Sequence, residues 1–142
     1  MLTSNGAAAA ADAARRESAR LVRRWSLTDL YELFRSNGIL RAYILFENGE
    51  FFLSHEALRP IRALLELSHD FSQHEAIFLA PSPERFRTVF AAFVHDTRRG
   101  LAQGGLRLWP YPSVADFLAD GLRLSQGMTR KNALASLDWG GG

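Results

Sequence analysis

Asn48-Gly49 lies between two β-rich runs, 39–46 and 51–53, and Asn-Gly in this setting is the strongest short signal for a β-hairpin. Both central residues of such a turn take positive φ, which Asn and Gly tolerate and most residues do not. The flanking strands must then pair antiparallel. A chain that carries this signal needs a sheet, which argues against an all-helical bundle.

Around the hairpin the pattern alternates. Ser26 with Asp29 three residues later resembles a helix start, and Leu27, Leu30, Tyr31 and Phe34 supply one apolar face, closed by Asn37-Gly38. Between 55 and 67 the positions Leu58, Ile61, Leu64, Leu65 and Leu67 predict a second helix, and Pro60 is tolerated there only in the first turn, so the helix should begin near Arg59. Residues 75–80 and 87–94 read as short buried strands joined by Pro81-Ser82-Pro83-Glu84, and 105–109 as a further strand after a glycine-rich link. Ser113 can cap a long closing helix in which Val114, Phe117, Leu118, Gly121, Leu122 and Ser125 share a face. The small residues at 121 and 125 invite close approach. The expected fold class is α/β, a small mixed sheet flanked by helices. Residues 1–25, rich in alanine and arginine without apolar periodicity, are expected to be a frayed helix or disordered tail with solvated arginines. Residues 26–54 form a helix-plus-hairpin unit, and 55–142 the rest.

With 142 residues, 47% of them apolar, the chain supports one ordinary core. Charge is uneven: five arginines against Asp12 and Glu17 put +3 in the first 24 residues, which leaves −1 for the remaining 12 basic and 13 acidic groups. The folded body therefore lacks the basic stripe of a nucleic-acid binder, so no nucleic-acid partner is expected. No apolar run approaches bilayer length and no export signal is read, so no membrane partner is expected either. The absence of cysteine removes thiolate chemistry and fits a cytoplasmic location. Histidines 55, 69, 74 and 95 show no metal spacing.

Two local patterns carry chemistry. Gln103-Gly104-Gly105-Leu106-Arg107 puts a double glycine at the start of the expected strand, where bare backbone N–H groups can meet a carboxylate; the same glycines also suit a tight turn. Gly127-Met128-Thr129-Arg130-Lys131-Asn132-Ala133 leads to Gly140-Gly141-Gly142. Of 17 basic residues 16 are arginine, and Lys131 alone offers a compact ammonium. Met128 and Lys131 lie three apart on one side of a helix, an apolar wall beside a cation that could grip an amino acid by its α-carboxylate. A core methionine beside a surface lysine would read the same way.

In order and spacing, His95-Asp96-Thr97, Gly104-Gly105-Leu106-Arg107, Trp109-Pro110-Tyr111 and Leu122-Arg123-Leu124 through Ala133 resemble the glutamate/leucine/phenylalanine/valine dehydrogenase family. The resemblance covers roughly half the chain, from about residue 74, and residues 1–54 have no counterpart in it. It implies that 55–142 is a partial substrate/dimerisation domain, with 26–54 as an N-terminal extension. It also implies oxidative deamination of an L-amino acid to its 2-oxo acid, with hydride passing to NAD or NADP. By matching position Lys131 would bind the α-carboxylate, with Gly104, Gly105, Met128 and Gln103 lining the site. The family's catalytic lysine and aspartate are expected beyond Gly142.

Three further expectations follow. The chain by itself should bind no NAD(P), since it has no βαβ unit with a Gly-rich phosphate turn, and should be a catalytically inactive fragment of a longer dehydrogenase. A non-catalytic, homodimerising module derived from the family is the alternative: it predicts a soluble homodimer without amino-acid oxidation, whereas a monomer that aggregates favours the fragment. The partner expected is a second copy of the chain, a homo-oligomer formed through the sheet domain. Gln103 departs from both the apolar residue of leucine-type members and the lysine of glutamate-type ones. Leu106-Arg107 looks glutamate-like and Trp109-Pro110-Tyr111 leucine-like, so the substrate side chain stays open.

Overall fold

The computed structural model describes residues 4–142, with side chains from Gly6 onward. Its elements are α1 (Ser4–Val22), α2 (Leu27–Ser36), β1 (Ala42–Glu47), β2 (Glu50–Leu53), α3 (Arg59–Glu66), β3 (Ala76–Pro81), β4 (Val89–Val94), β5 (Ala102–Gln103), α4 (Val114–Leu134) and β6 (Gly140–Gly141).

Local chemistry explains most of these boundaries. At the start of α2, Ser26 accepts from the Asp29 N–H while the Asp29 carboxylate accepts from the Ser26 N–H, a reciprocal cap that satisfies two orphan donors. Asn48 and Gly49 take φ of 53° and 85°, and β1 and β2 pair antiparallel about them with Glu47 opposite Glu50. Pro60 falls in the first turn of α3, where its missing N–H costs nothing. Ser113 caps α4 by accepting from the Asp116 N–H.

The main sheet has the order β2-β1-β3-β4 and is antiparallel throughout; parallel pairing is confined to the separate two-residue strands β5 and β6. The α/β class stands, with the mixed character divided between two sheets. Leu30 and Phe34 of α2, Ile61 and Leu65 of α3, and Val114, Leu118 and Leu122 of α4 bury against Ile44, Ile77 and Leu79 on one face of the main sheet. These apolar stripes supply the dominant favourable term in folding.

Two sequence expectations need correction. The expected tail is helix α1, and its last turns carry Ala19 and Val22 into the core, where the helix packs on α3. Arg15 is not merely solvated: it pairs with Asp12 and with Glu66 of α3. An alanine-rich segment has high intrinsic helix propensity, and a short apolar contact with a neighbouring helix is enough to dock it. Residues 1–3 lie outside the described residues. The strand expected at 105–109 is absent: that segment is irregular and has no ladder partner, and Leu106, Leu108 and Trp109 are exposed. A β-like pattern forms a strand only where a neighbouring strand can accept and donate its backbone hydrogen bonds.

Candidate functional site

The glycines of the two motifs meet at one node. On one side of β6, the His95 N–H donates to the Gly141 carbonyl at 2.9 Å and the Gly141 N–H to the Asp96 carbonyl at 3.1 Å. On its other side the Gly140 N–H donates to Leu101 and the Gly142 N–H to Gln103, each at 3.0 Å. Helix α4 closes the node: buried Asn132 donates to the Gly140 carbonyl at 2.7 Å. Backbone thus packs on backbone with no room for a side chain. A Cβ at Gly140 would fall on the Asp96 carbonyl, one at Gly141 on Thr129 and the Ser125 carbonyl, and one at Gly104 on the Gly142 carbonyl, all far inside van der Waals contact. Gly105 is different, since nothing lies near the space its Cβ would take.

Gly104 and Gly105 form the lip of a cavity of about 420 Å3 walled by Phe93, Phe117, Gly121 and Leu124. Gly121 is needed here because the Phe93 ring rests where a Cβ would be. Among the described residues neither the Gly104 nor the Gly105 N–H meets a protein acceptor, so two backbone donors stand beside an apolar hollow. Arg107 and Tyr111 also border it, and both bind Asp120, at 2.6 Å and 2.5 Å. The Tyr111 hydrogen bond and the Arg107 guanidinium hold the Asp120 carboxyl below the usual range, while burial and that same carboxylate push the Tyr111 hydroxyl up to about 12. Arg107 is therefore already neutralised by the protein. Sequence reading missed this triad, because nothing in the spacing of 107, 111 and 120 announces that an irregular segment folds back on a helix.

A second missed feature lies under the node. His74, 1% exposed, accepts from the Ser72 N–H at Nδ1 (3.1 Å) and donates from Nε2 to the Leu122 carbonyl (2.9 Å), so both ring nitrogens are satisfied in the neutral form. Burial lowers its pKa from 6.5 to about 4. The His95 ring meets it edge-on at 4.7 Å, is likewise shifted down by burial, and reaches Thr129 of α4 at 2.9 Å. These rings couple β4 to α4. Among the described residues there is no group of three or more potential metal ligands, and no helix is long and apolar enough to cross a membrane.

Gly104 and Gly105 thus share a cavity, whose lining does not include Lys131, Met128 or Gln103. Lys131 projects from the last turn of α4, exposed, with no ion-pair partner among the described residues; Met128 is half-buried and Gln103 exposed. A dinucleotide does not fit the parts present. The N-terminus of α4, where a pyrophosphate would bind, is taken by Ser113 and the chain's own Asp116 carboxylate, and the glycine turn is separated from it by residues 106–112.

A family model described as "Glu/Leu/Phe/Val dehydrogenase, dimerisation domain" matches residues 85–142. A phenylalanine dehydrogenase of Bacillus thermotolerans is 44% identical over 77 residues, 54% of this chain and 20% of the relative. A leucine dehydrogenase of Geobacillus stearothermophilus is 38% identical over 79 residues (56% and 21%), and a valine dehydrogenase of Streptomyces coelicolor 42% identical over 85 (58% and 23%). The chain spans about a fifth of the length of these relatives. No solved structure matches it significantly. The glycine node, the cavity beside it and helix α4 all fall in the matched segment, residues 85–142, which is similar to the dimerisation domain of the Glu/Leu/Phe/Val dehydrogenase family.

Proposed function

We propose that this chain supplies the amino-acid-binding part of an NAD(P)-dependent L-amino-acid dehydrogenase, that it assembles with copies of itself, and that it works in the cytoplasm. The observation that carries the substrate reading is the pair of unengaged N–H groups at Gly104 and Gly105 on the lip of an apolar cavity. Two such donors suit a carboxylate, and the ring-lined hollow beside them suits an apolar side chain. Arg107 is paired with Asp120, so it does not offer a free cation to a side-chain carboxylate, which favours a substrate of the leucine, valine or phenylalanine type over glutamate. Lys131 is the cation assigned to the α-carboxylate by matching position, with Met128 beside it and Gln103 at the glycine turn. The polypeptide by itself is inactive in this reading, since hydride transfer needs a nucleotide site that these residues do not form.

The test is a chimera in which the matched 79-residue segment replaces its counterpart in the Geobacillus stearothermophilus leucine dehydrogenase. The chimera should reduce NAD with an apolar L-amino acid, and the 142-residue chain alone should not. Lys131→Ala in the chimera should raise KM for the amino acid by about 10-fold or more, the scale of one lost charge-assisted contact, and leave KM for the cofactor within about 2-fold. A folded chimera that turns over but is indifferent to Lys131→Ala would remove the assigned role; a folded, inert chimera would remove the whole reading.

A further inference from the structure

The face of the main sheet turned away from the helices is apolar from edge to edge. By strand alternation and register it carries Tyr43 and Leu45 of β1, Phe52 of β2, Phe78 and Ala80 of β3, and Phe90, Ala92 and Val94 of β4. Tyr43, Phe52, Phe78 and Phe90 are 43%, 47%, 47% and 54% exposed, whereas their neighbours Ile44, Ile77 and Leu79 on the inner face are buried. An open groove of about 720 Å3 runs across this face between Arg41, His55, Phe78 and Phe90. Soluble proteins rarely leave so continuous an apolar patch in water.

The charges at its two ends say what covers it. Arg41 stands on the same face at the start of β1. Six residues along, about 20 Å at strand rise, Glu47 lies directly across from Glu50. Like charges facing each other across an antiparallel pair repel, and among the described residues neither glutamate has a cationic partner nor Arg41 an anionic one. One end is basic, the other acidic, and both are unsatisfied.

We propose that this face is a self-complementary interface on which a second copy of the chain stacks sheet against sheet. This rests on the homo-oligomer part of the reading above and names its surface. A two-fold axis in the interface plane, perpendicular to β1, reverses strand direction, so Arg41 of each copy meets the Glu47–Glu50 pair of the other, twice by symmetry. Stacked sheets lie about 10 Å apart, a gap that the four aromatic side chains from each copy fill and that Arg and Glu side chains span. Most of the face, residues 43–80, precedes the segment matched by the family model.

The 142-residue chain is measured by light scattering coupled to size exclusion, and its dissociation constant by sedimentation equilibrium, with circular dichroism as the check on folding. Wild type should be a dimer, and Phe78→Arg should raise the dissociation constant about 100-fold or more, as loss of a central anchor does. Arg41→Glu alone and Glu47→Arg/Glu50→Arg together should each raise it about 10-fold, and the triple variant should return it to within about 3-fold of wild type, because charge is restored only across the interface. These three substitutions are exposed and keep the test valid should Phe78→Arg misfold. A monomeric wild type overturns the inference together with the homo-oligomer reading. A dimer indifferent to Phe78→Arg and to the charge reversals overturns the inference and leaves that reading standing.

Discussion

The half of the molecule around α2, the hairpin and α3 is held by side chains, whereas the half around β5, β6 and the second part of α4 is held by backbone. In the first, Leu30, Phe34, Ile44, Ile61 and Leu65 interlock as fully buried apolar groups. In the second, four backbone hydrogen bonds and one from the Asn132 side chain enclose Gly140, Gly141 and Gly142, against which α4 lies directly. Side-chain packing tolerates loss of volume at a graded cost, while backbone packing tolerates no gain of volume. The first half therefore reads as scaffold, and the second as a place where a ligand can come close to bare N–H groups.

The sharpest way to break this contrast is Gly141→Ala. The new methyl meets Thr129 and the Ser125 carbonyl, neither the free end of a flexible chain, so the node must open. We expect a loss of about 5 kcal/mol or more, visible as uncoupling of β6 and α4 in hydrogen exchange before the rest of the chain unfolds. A variant with wild-type stability would show that the node adapts and that the contrast is false. Phe34→Ala probes the other half: a cavity in the scaffold should cost about 3 to 4 kcal/mol in denaturant unfolding, spread over the whole cooperative transition, with the protection of Gly141 lowered only as far as that of the core.

The smallest effect sharpens the boundary between the two halves, where His74 binds the Leu122 carbonyl. Its pKa of about 4 in the fold lies below the ordinary 6.5, so folding favours the neutral ring. The associated stability is complete above the unfolded value and is lost as pH falls from 6.5 toward 4, about 3 kcal/mol at most over that window. Protonation would also set an Nδ1 proton against the Ser72 N–H. Comparing urea unfolding of wild type and His74→Gln from pH 7 to 4 isolates this ring from the carboxylates; parallel curves would rule it out as the pH-sensitive joint.

How much of this was legible depended on the range of the interaction. Ser26 with Asp29, Asn48-Gly49, Pro60 near Arg59, and Ser113 at the head of α4 all act within a turn or two of chain, and each appears where its local chemistry demands. The apolar face of α4 was readable too, yet its small residue at 121 gained a meaning only when the Phe93 ring was found against it. The strand read at 105–109 failed because an alternating apolar pattern reports the wish for a neighbour and not its presence. Helix α1 was misjudged because an alanine-rich segment becomes a folded element only when α3 offers it a surface. Within the candidate site, the glycines at 104 and 105 were singled out in advance. The Arg107–Asp120–Tyr111 triad and the His74–His95 contact were not, since each joins residues that nothing short of the tertiary structure brings together.

Capping, turn geometry, the two periodicities and the order of the motifs were determined by the amino-acid sequence itself, because these depend on neighbours a few bonds away. Tertiary structure alone decided which glycine must be a glycine, which arginine is already paired, and which sheet face is left bare. Those properties are set by contacts between segments far apart in the chain, and a contact between two surfaces has no signature in either one taken singly.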